Sequence, residues 1–462
     1  MSHRFRLSGE KRQRHLDAIA KRLPEHLARL SWSAETLKQE RQEKLRSLLR
    51  HAVEKSPWHK ERLRGVEIET FTEADLTSLP IMTKADVMGN WDQIVTDNRL
   101  TLEGANNHIT RKLRDPDAPY YYLDDYEIFA TGGSTGSRGV FVWGWEEFIE
   151  IACSTFRYQM RDEPTETLTG DRLLAVVEAG ETVHGSPFVF SVSPDPDTRV
   201  DWFPASTPMK ELIAQLNAAQ PTQINGFSSA VQELAIEAVA GNLKISPHRV
   251  TSNSEPLLPE ARAAAKKAWG VDINNMWGCV EVGLIGVECD AHQGMHMTDD
   301  MVICEFVDHD NQPTEDPDKI DKILATSLFG TSLPMIRYEV SDIAIPGKEL
   351  CSCGSIFPLI EEVRGRADDA FIYDGDIKIH PLVFRTPLGQ HPHIEEYQIQ
   401  QTKTGAIISV VCAGVVDQNL LKSDIETALI ALGMSAPEII VNFVEAVQRH
   451  KETGKLRRFI PV

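Results

Sequence analysis

The sequence predicts an α/β fold, with a large amino-terminal domain built on layers of parallel sheet and a small α+β domain after it. Short apolar segments alternate with amphipathic segments of helical length between residues 172 and 270, as in strand–helix–strand units. After residue 300 turns become frequent and the apolar segments are short, which is typical of β-rich structure. The chain has 462 residues, enough for about three units of roughly 150 residues each.

Composition narrows the class of protein. The formal net charge of −20 argues against a nucleic-acid-binding protein, because such proteins present a basic surface. No apolar run approaches the roughly 18 residues of a membrane-spanning helix, and the first residues lack the apolar core of a signal peptide. Seven cysteines in so long a chain do not indicate a disulfide framework. We therefore expect a cytoplasmic protein that binds neither nucleic acid nor membrane.

The amino-terminal segment, residues 8–63, is predicted to be helical because leucines recur at helical spacing among many charged residues. Pro57 breaks this pattern near its end. Thr72 and Thr83 each precede an acidic residue within one turn, which predicts that they are helix N-caps.

The middle of the chain supplies the alternation of strands and helices. One apolar segment there is typical of a buried strand, and three further segments are typical of amphipathic helices. They are the strand at 172–179 and the helices at 209–220, 230–242 and 260–270. Gly270 directly follows the last of them and is a natural C-cap.

The carboxy-terminal part combines two strand patterns with one helical pattern, as a small α+β unit does. The turn sequence at 364–369, Arg-Gly-Arg-Ala-Asp-Asp, is the predicted boundary. Residues 1–365 are thus expected to form the amino-terminal domain and residues 366–462 the carboxy-terminal domain.

One segment between two apolar runs, Phe129–Gly139 (FATGGSTGSRG), is rich in Gly, Ser and Thr. Its composition is typical of a plain loop. It also suits a phosphate-binding loop, because glycine lets backbone N–H groups approach phosphate oxygens closely. The segment lacks the spacings of the Walker loop and of the dinucleotide-binding motif. By itself it leaves both interpretations open.

Four later segments appear in the order typical of the adenylate-forming superfamily, and the chain resembles that superfamily on these grounds. NNMWGCVEVG is similar to its Tyr-Gly-x-Thr-Glu element, and SLPMIRYEVSD is similar to its Pro-x-Ile-Arg-Tyr-x-x-x-Asp element. RGRADD is similar to its hinge, and KETGKLRRF is similar to the segment with its catalytic lysine. The segments LPIMTKADV, ECDAHQGMHM and LCSCG further resemble the phenylacetate–CoA ligase branch. All of these segments lie between residues 79 and 459.

The resemblance implies an AMP-forming acid–CoA ligase. A carboxylate would attack the α-phosphate of ATP to give an acyl-adenylate and pyrophosphate, and the thiol of coenzyme A would then displace AMP. An aromatic or cyclic acid is the implied substrate. Two alternatives stay open: transfer of the acyl group to an amine or a carrier-protein thiol, and a nucleotide-binding protein without catalysis. A homodimer is also open, since many relatives dimerise.

The resemblance also implies how the nucleotide is bound. The glycine-rich loop would hold the phosphates through Thr131, Gly132, Gly133, Ser134, Thr135, Gly136 and Arg138. Many relatives carry a lysine near the end of this loop. Here Arg138 precedes Gly139 instead, and its guanidinium group can pair with a phosphate.

Further nucleotide-binding residues follow from the other segments. Glu281 would hold Mg²⁺, which prefers oxygen ligands. Val280 departs from the family, since a hydroxyl residue usually stands there. Asp342 would accept hydrogen bonds from the ribose hydroxyls, with Arg337 in support. The remaining positions assigned to ATP or AMP are Ser254, Glu255, Trp277, Gly278 and Arg366. Trp277 would stack on adenine, or else is a core aromatic.

Lys455 is the implied catalytic residue for adenylation, because a positioned ammonium group stabilises the negative charge that develops there. Without the other motifs it would be interpreted as an exposed lysine near the terminus. Asp368 would be the pivot of the hinge. The acid-binding residues would be His184, Gly185, Phe227 and Ser228, and a buried core role for Phe227 stays open.

A zinc site is a further expectation. Cys351 and Cys353 form a C-x-C pair, and Cys289 lies upstream with two histidines close to it. Three thiolates and one imidazole make a common closed zinc site. The resemblance favours His296 over the other histidine. The alternative is a set of reduced cysteines.

Overall fold

The computed structural model describes residues 9–115, 118–131, 139–162, 172–178, 198–366, 370–375, 377–379, 382–389, 393–449 and 455–462. The predicted site residues Gly132, Gly133, Ser134, Thr135, Gly136, Arg138, His184, Gly185 and Asp368 lie outside these ranges.

The helices of the described residues are concentrated in the first two thirds of the chain. Their bounds are α1 Gly9–Arg29, α2 Ala34–Lys55, α3 Pro57–Arg62, α4 Lys84–Ile94, α5 Leu102–Arg114, α6 Trp145–Asp162, α7 Met209–Ala219, α8 Ser228–Val239, α9 Pro259–Trp269, α10 Leu382–Gly389 and α11 Gln418–Ala431, with a 3₁₀ helix at Glu73–Ser78.

The strands begin after the fifth helix. Their bounds are β1 Tyr126–Thr131, β2 Gly139–Gly144, β3 Arg172–Val177, β4 Thr198–Trp202, β5 Gln223–Phe227, β6 Arg249–Asn253, β7 Ile273–Cys279, β8 Gly283–Glu288, β9 Met295–Met297, β10 Val302–Val307, β11 Lys322–Ser327, β12 Tyr338–Val340, β13 Asp342–Pro346, β14 Leu359–Arg366, β15 Phe371–Tyr373, β16 Ile377–Ile379, β17 Ile394–Gln401, β18 Gly405–Cys412, β19 Glu438–Phe443 and β20 Phe459–Ile460.

A nine-stranded sheet organises the larger part of the molecule, in the order β13-β14-β9-β8-β7-β6-β5-β3-β4. Strands β7, β6, β5, β3 and β4 are parallel to one another, and the pairs from β7 to β13 are antiparallel. Alternate residues of a strand face opposite sides, so both faces need cover. The α/β fold class that the sequence predicts is thus confirmed.

Two helical layers cover this sheet. On one face, Leu174 and Val176 of β3 pack with α6, and α1 lies over α6. On the other face, Ala175 and Val177 pack with the apolar sides of α7, α8 and α9. The apolar run of β3 is therefore buried on both sides, as expected for a parallel strand.

A hairpin of β1 and β2 stands beside the large sheet. The two strands pair in register from Tyr126 with Gly144 to Thr131 with Gly139. Helices α4 and α5 pack against this hairpin through one shared apolar core, which includes Trp91 and Phe141. The two ends of the predicted phosphate-binding loop are therefore fixed by paired strands.

The carboxy-terminal residues build a separate four-stranded sheet, in the order β19-β18-β17-β20. Its apolar core is formed within this part of the chain, for example by Phe371, Phe384 and Leu421. The domain boundary after residue 365 stays a prediction.

Several local predictions are confirmed. Helices α7, α8 and α9 match the predicted ranges within three residues, and Gly270 has the left-handed φ of 75° expected of a C-cap. Thr83 caps α4, because its side chain accepts a hydrogen bond from the Asp86 N–H group. A new helix begins at Pro57. Among the described residues, no helix is both long and apolar enough to cross a bilayer.

Candidate active site

The carboxyl ends of the parallel strands form the edge on which the candidate site is built. Strand β5 ends at Phe227 and β6 ends at Asn253, and these two residues are register partners. In open α/β sheets, ligands bind in the crevice outside the carboxyl ends of the strands. Phe227 and Ser228 from one strand end thus lie next to Ser254 and Glu255 from the other.

Glu255 connects three segments at this edge. One carboxylate oxygen accepts a hydrogen bond from the Ser229 N–H group at the start of α8, at 2.9 Å. The other accepts a hydrogen bond from the Leu456 N–H group, also at 2.9 Å. A carboxylate is stabilised at a helix N-terminus, where N–H groups are unpaired. Glu255 therefore holds the segment of the predicted catalytic lysine against the strand ends.

Lys455 is half-buried, and its ammonium nitrogen lies 5.1 Å from the centre of the Phe227 ring. A cation at this distance from an aromatic ring is attracted to its face. The structure thus brings together Lys455, Glu255 and Phe227, although more than 200 residues separate Phe227 from Lys455 in the sequence. The catalytic role of Lys455 stays a prediction.

Ser228 and Phe227 were predicted to bind the acid. The Ser228 hydroxyl lies 2.5 Å from the Ser252 hydroxyl and donates to the Glu255 carbonyl at 3.1 Å. Phe227 is 1% exposed and packs with the helices of one sheet face. Its core role is therefore evident, and a contact with the acid stays a prediction.

Trp277 and Asp342 are in direct contact. The indole N–H group donates to an Asp342 carboxylate oxygen at 2.7 Å, and both side chains are buried. Asp342 begins β13, where it is the register partner of Arg366 at the end of β14. Three predicted nucleotide residues therefore lie together, although 65 residues separate Trp277 from Asp342. Stacking of adenine on Trp277 stays a prediction.

The turn between β7 and β8 carries Glu281. Burial, followed by the charge of Glu281, raises the pKa of the Cys279 thiol well above its usual range. Val280 is half-buried and packs against the core. Gly278 needs to be glycine for packing, because a Cβ there would lie 2.4 Å from the Gly283 carbonyl oxygen.

Asn275, two residues before Trp277, was not predicted from the sequence. Its backbone N–H group donates to Glu288 at 2.8 Å. Within the described part of the chain, its buried side-chain oxygen has no hydrogen-bond donor. Such an acceptor suits a ligand with an N–H group. The signal was visible in the sequence, since Asn275 stands inside the motif NNMWG.

A buried polar cluster below the strand ends was also missed. The Glu178 carboxylate follows β3 and is fully buried. It accepts hydrogen bonds from the Asn225 and Asn253 side-chain amides, at 2.6 and 2.7 Å. Two amide donors compensate for the loss of solvent around this carboxylate. The partners are 47 and 75 residues away in the sequence, so no local pattern indicates them.

The four predicted zinc ligands form one cluster. Their ligand atoms all lie within 4.8 Å of one another. The Cys289 and Cys351 sulfurs are 3.7 Å apart, and His296 Nε2 lies 3.4 Å from the sulfurs of both Cys289 and Cys353. A tetrahedral zinc ion with bonds of about 2.3 Å to sulfur and 2.0 Å to nitrogen gives edges of about 3.8 and 3.5 Å. The cluster fits zinc.

The protonation of His296 agrees with this fit. Its Nδ1 can only donate to the Phe357 carbonyl oxygen, which lies at 3.2 Å, so Nε2 faces the sulfurs without a proton. Burial lowers the pKa of His296 to about 4, which keeps the imidazole neutral. A neutral imidazole is the form that binds a metal.

Comparison with known proteins bears on the class of this site. No family model matches the chain. The chain is 28% identical over 158 residues to phenylacetate–coenzyme A ligase of Thermus thermophilus, and 21% identical over 291 residues to protein CapK of Staphylococcus aureus. The matches cover 33% and 61% of this chain, and only 35% and 56% of the relatives.

Solved structures match over most of the chain. The fold is similar to that of 2-hydroxyisobutyryl-CoA ligase in its postadenylation state, with a TM-score of 0.69 and 17% identity over 94% of this chain and 91% of that chain. An open conformation of the same ligase gives a TM-score of 0.59 at 16% identity, over 94% of this chain and 92% of that chain.

The comparisons in structure and in sequence both include coenzyme A ligases. The chain shares the fold of 2-hydroxyisobutyryl-CoA ligase, and 33% of it is similar in sequence to a phenylacetate–coenzyme A ligase, in agreement with the resemblance that its motif order predicts.

Proposed function

We propose that the protein is an ATP-dependent acid–CoA ligase that forms an acyl-adenylate and then transfers the acyl group to coenzyme A. The observation that carries this proposal is the position of Lys455 at the strand ends, held there by the hydrogen bond from Leu456 to Glu255. A lysine delivered to the carboxyl edge of the sheet is placed where a ligand would bind.

In the proposed first step, a carboxylate oxygen of the acid bonds to the α-phosphorus of ATP while the bond to pyrophosphate breaks. Lys455 would stabilise the negative charge that builds up around the phosphorus, because its ammonium group lies at the strand ends, the edge at which a ligand would bind. The Asp342 carboxylate would accept hydrogen bonds from the ribose, and Asn275 Oδ1 suits an N–H group of the base. Glu281 offers oxygen ligands of the kind that Mg²⁺ prefers.

In the proposed second step, the thiolate of coenzyme A attacks the acyl carbon and AMP leaves. This step needs room at the reacting carbon, so Lys455 would have to withdraw. We propose that residues 366–462 turn about a hinge at Asp368, with a few residues absorbing the change in backbone angles.

The acid is proposed to be aromatic or cyclic. Phe227 offers a ring next to the Lys455 ammonium group, and Ser228 offers a hydroxyl at the same strand end. His184 and Gly185 are proposed as further pocket residues on the sequence resemblance. We also propose a cytoplasmic location, where ATP and coenzyme A are both supplied.

Zinc is proposed as a structural metal of this enzyme. Cys289, His296, Cys351 and Cys353 have the separations of a closed tetrahedral site. When bound, zinc would join the segment after β8 to the turn before β14 and supply no chemistry to the reaction, since closed sites have no open ligand position.

One experiment separates the proposed reactions. ATP–pyrophosphate exchange is measured with a panel of aryl, alicyclic and short-chain acids, and product formation is then measured with coenzyme A, with amino acids or with a carrier protein. Exchange with an aryl or alicyclic acid and a CoA thioester product are expected. Exchange followed by an amide or a carrier-bound product would reassign the acceptor. No exchange with any acid would refute the proposed function.

A further inference from the structure

A largely buried polar band crosses the face of the large sheet that α6 covers. Val176 of β3 packs with α6, and its register partner in β5 is Asn225, which is paired in turn with Thr251 of β6. Alternate residues of a strand face the same side, so Asn253 of β6 belongs to the same band. A helix normally packs its apolar side on such a face. Each buried polar atom in this band therefore has to be accounted for.

The carboxyl end of the band has more hydrogen-bond acceptors than donors. The Asn225 and Asn253 amide nitrogens both donate to one Glu178 carboxylate oxygen, and Asn253 Nδ2 also donates to Asn225 Oδ1 at 3.1 Å. Among the residues that the structure describes, none donates to Asn253 Oδ1, although this oxygen is buried. A buried amide oxygen destabilises the protein unless a ligand or a water molecule supplies a donor.

The orientation of the Asn253 amide is fixed by Glu178. Exchanging the amide nitrogen and oxygen would set the oxygen against the carboxylate, and two acceptors repel each other. Glu178 is itself held through its backbone, because its carbonyl oxygen accepts a hydrogen bond from the Ala205 N–H group at 2.7 Å. The free position of Asn253 is therefore an acceptor and not a donor.

Asn253 stands beside the residues that hold Lys455. It is the last residue of β6 and the register partner of Phe227. Glu255 follows two residues later and accepts the hydrogen bond from the Leu456 N–H group. The buried acceptor therefore lies at the carboxyl edge of the sheet, where ligands bind in open α/β folds.

Space for a small group adjoins this cluster. A cavity with room for about two water molecules lies between α6 and the sheet, and Asn225 and Thr251 form part of its wall. The wall on the side of α6 includes Thr155 and Phe156. An amino or a hydroxyl group is about as large as one water molecule, so the α6 face has room for a substituent of that size.

We propose that the acid substrate carries a hydrogen-bond donor, an amino or a hydroxyl group, and that Asn253 Oδ1 accepts the hydrogen bond from it. This inference rests on the proposed function, which places the acid at the same strand ends. Glu178 is a positioning residue, because it sets the orientation of the Asn253 amide. An analogue without the donor would leave the buried oxygen unpaired, so the site discriminates against that analogue.

The test measures ATP–pyrophosphate exchange on the full chain with matched sets of aryl and alicyclic acids. The members of a set differ only in carrying an amino, a hydroxyl or a methyl group at the same ring position. For the wild type, kcat/KM for the acid should be about 10- to 100-fold higher for an amino or a hydroxyl member than for its methyl counterpart, the range for a buried hydrogen-bonding group. In Asn253→Leu this ratio should fall to about 1, because the acceptor is gone. Asn419→Leu is the control, because Asn419 is exposed in α11.

The wild-type comparison needs no variant, so it decides even where Asn253→Leu does not fold. Equal use of the methyl members would overturn the proposal and assign the acceptor to a bound water molecule. A ratio that survives in Asn253→Leu would also overturn it. Glu178→Met should lower the same ratio, because the Asn253 amide can then turn, whereas an equal loss for every acid in both variants would show a structural role alone and overturn the proposal. No exchange with any acid would instead refute the proposed function.

Discussion

Arg449 is the clearest place to test whether the carboxy-terminal part of the chain delivers Lys455 by docking. Its guanidinium group donates to the Ser229 hydroxyl at 2.7 Å and to a Glu233 carboxylate oxygen at 2.6 Å, both at the start of α8. It also donates to Glu396 at 2.8 Å within its own part of the chain. Arg449→Met removes both links to α8 and keeps most of the side-chain volume.

The free energy that Arg449 contributes to docking follows from how exposed its side chain and those of its partners are. Arg449 is 18% exposed and Glu233 is 32% exposed, so the ion pair between them is worth about 1 kcal/mol, near the value for surface pairs. The hydrogen bond to Ser229, whose residue is buried, adds about 1.5 kcal/mol, as bonds that involve a charged group do. The sum, about 2.5 kcal/mol, corresponds to a factor of about 70 in the docking equilibrium.

The assay measures the two half-reactions separately. ATP–pyrophosphate exchange should fall by up to about 70-fold in Arg449→Met, because the proposed mechanism requires Lys455 at the strand ends for adenylation. Thioester formation from a preformed acyl-adenylate should be spared, since Lys455 has to withdraw for that step. Arg50→Met is the matched control, because Arg50 forms an exposed ion pair with Glu69. An unchanged exchange rate, or equal losses in both half-reactions, would refute the reasoning.

Three further predictions concern the site and its surroundings. Lys455→Ala should lower exchange by about 10²- to 10³-fold and leave ATP binding intact, and loss of ATP binding would contradict the assigned role. The purified protein should hold one zinc ion per chain by metal analysis, whereas Cys351→Ser should lose it and Cys412→Ser should not; a wild-type protein without zinc counts against the site. Burial, together with the charge of Glu233, raises the pKa of Glu396 to about 7 against the pull of Arg449. Because the folded-state pKa is raised, the wild-type protein loses stability as the pH rises from about 4.5 to 7. The melting temperature of Glu396→Gln minus that of the wild type should therefore increase across this pH range. A difference that stays constant with pH would disprove the assignment.

Local patterns predicted the local structure well. Helices α7, α8 and α9 were predictable from apolar residues at helical spacing. The helix ends at Gly270 and Thr83 were predictable because capping depends on only a few neighbouring residues. Strand order was not predictable in this way. Strand β14 pairs with β9 although more than 60 residues separate them, and nothing near either strand indicates the partner.

In the candidate site, too, the residues could be predicted from the sequence but their contacts could not. Sequence resemblance predicted Lys455, Glu255, Trp277 and Asp342 as site residues, and the structure brings them to the carboxyl edge of the sheet or to the neighbouring strand pair. It did not predict their partners. Glu255 was assigned to the nucleotide, yet its carboxylate joins α8 to the segment after Lys455. Such a contact depends on how three distant segments pack, so it leaves no periodic signal in the sequence.

Arg337 shows how a motif residue can act at a distance from the ligand. The sequence resemblance placed it in support of the nucleotide region. In the structure it is buried, has a left-handed φ of 56°, and directs its guanidinium group away toward Glu305 and the Thr77 and Leu79 carbonyl oxygens. A non-glycine residue in that conformation is held there by its surroundings. These bonds tie the segment before α4 to the residues just before β13, so Arg337 contributes to the structure around the site through the backbone that it holds in place.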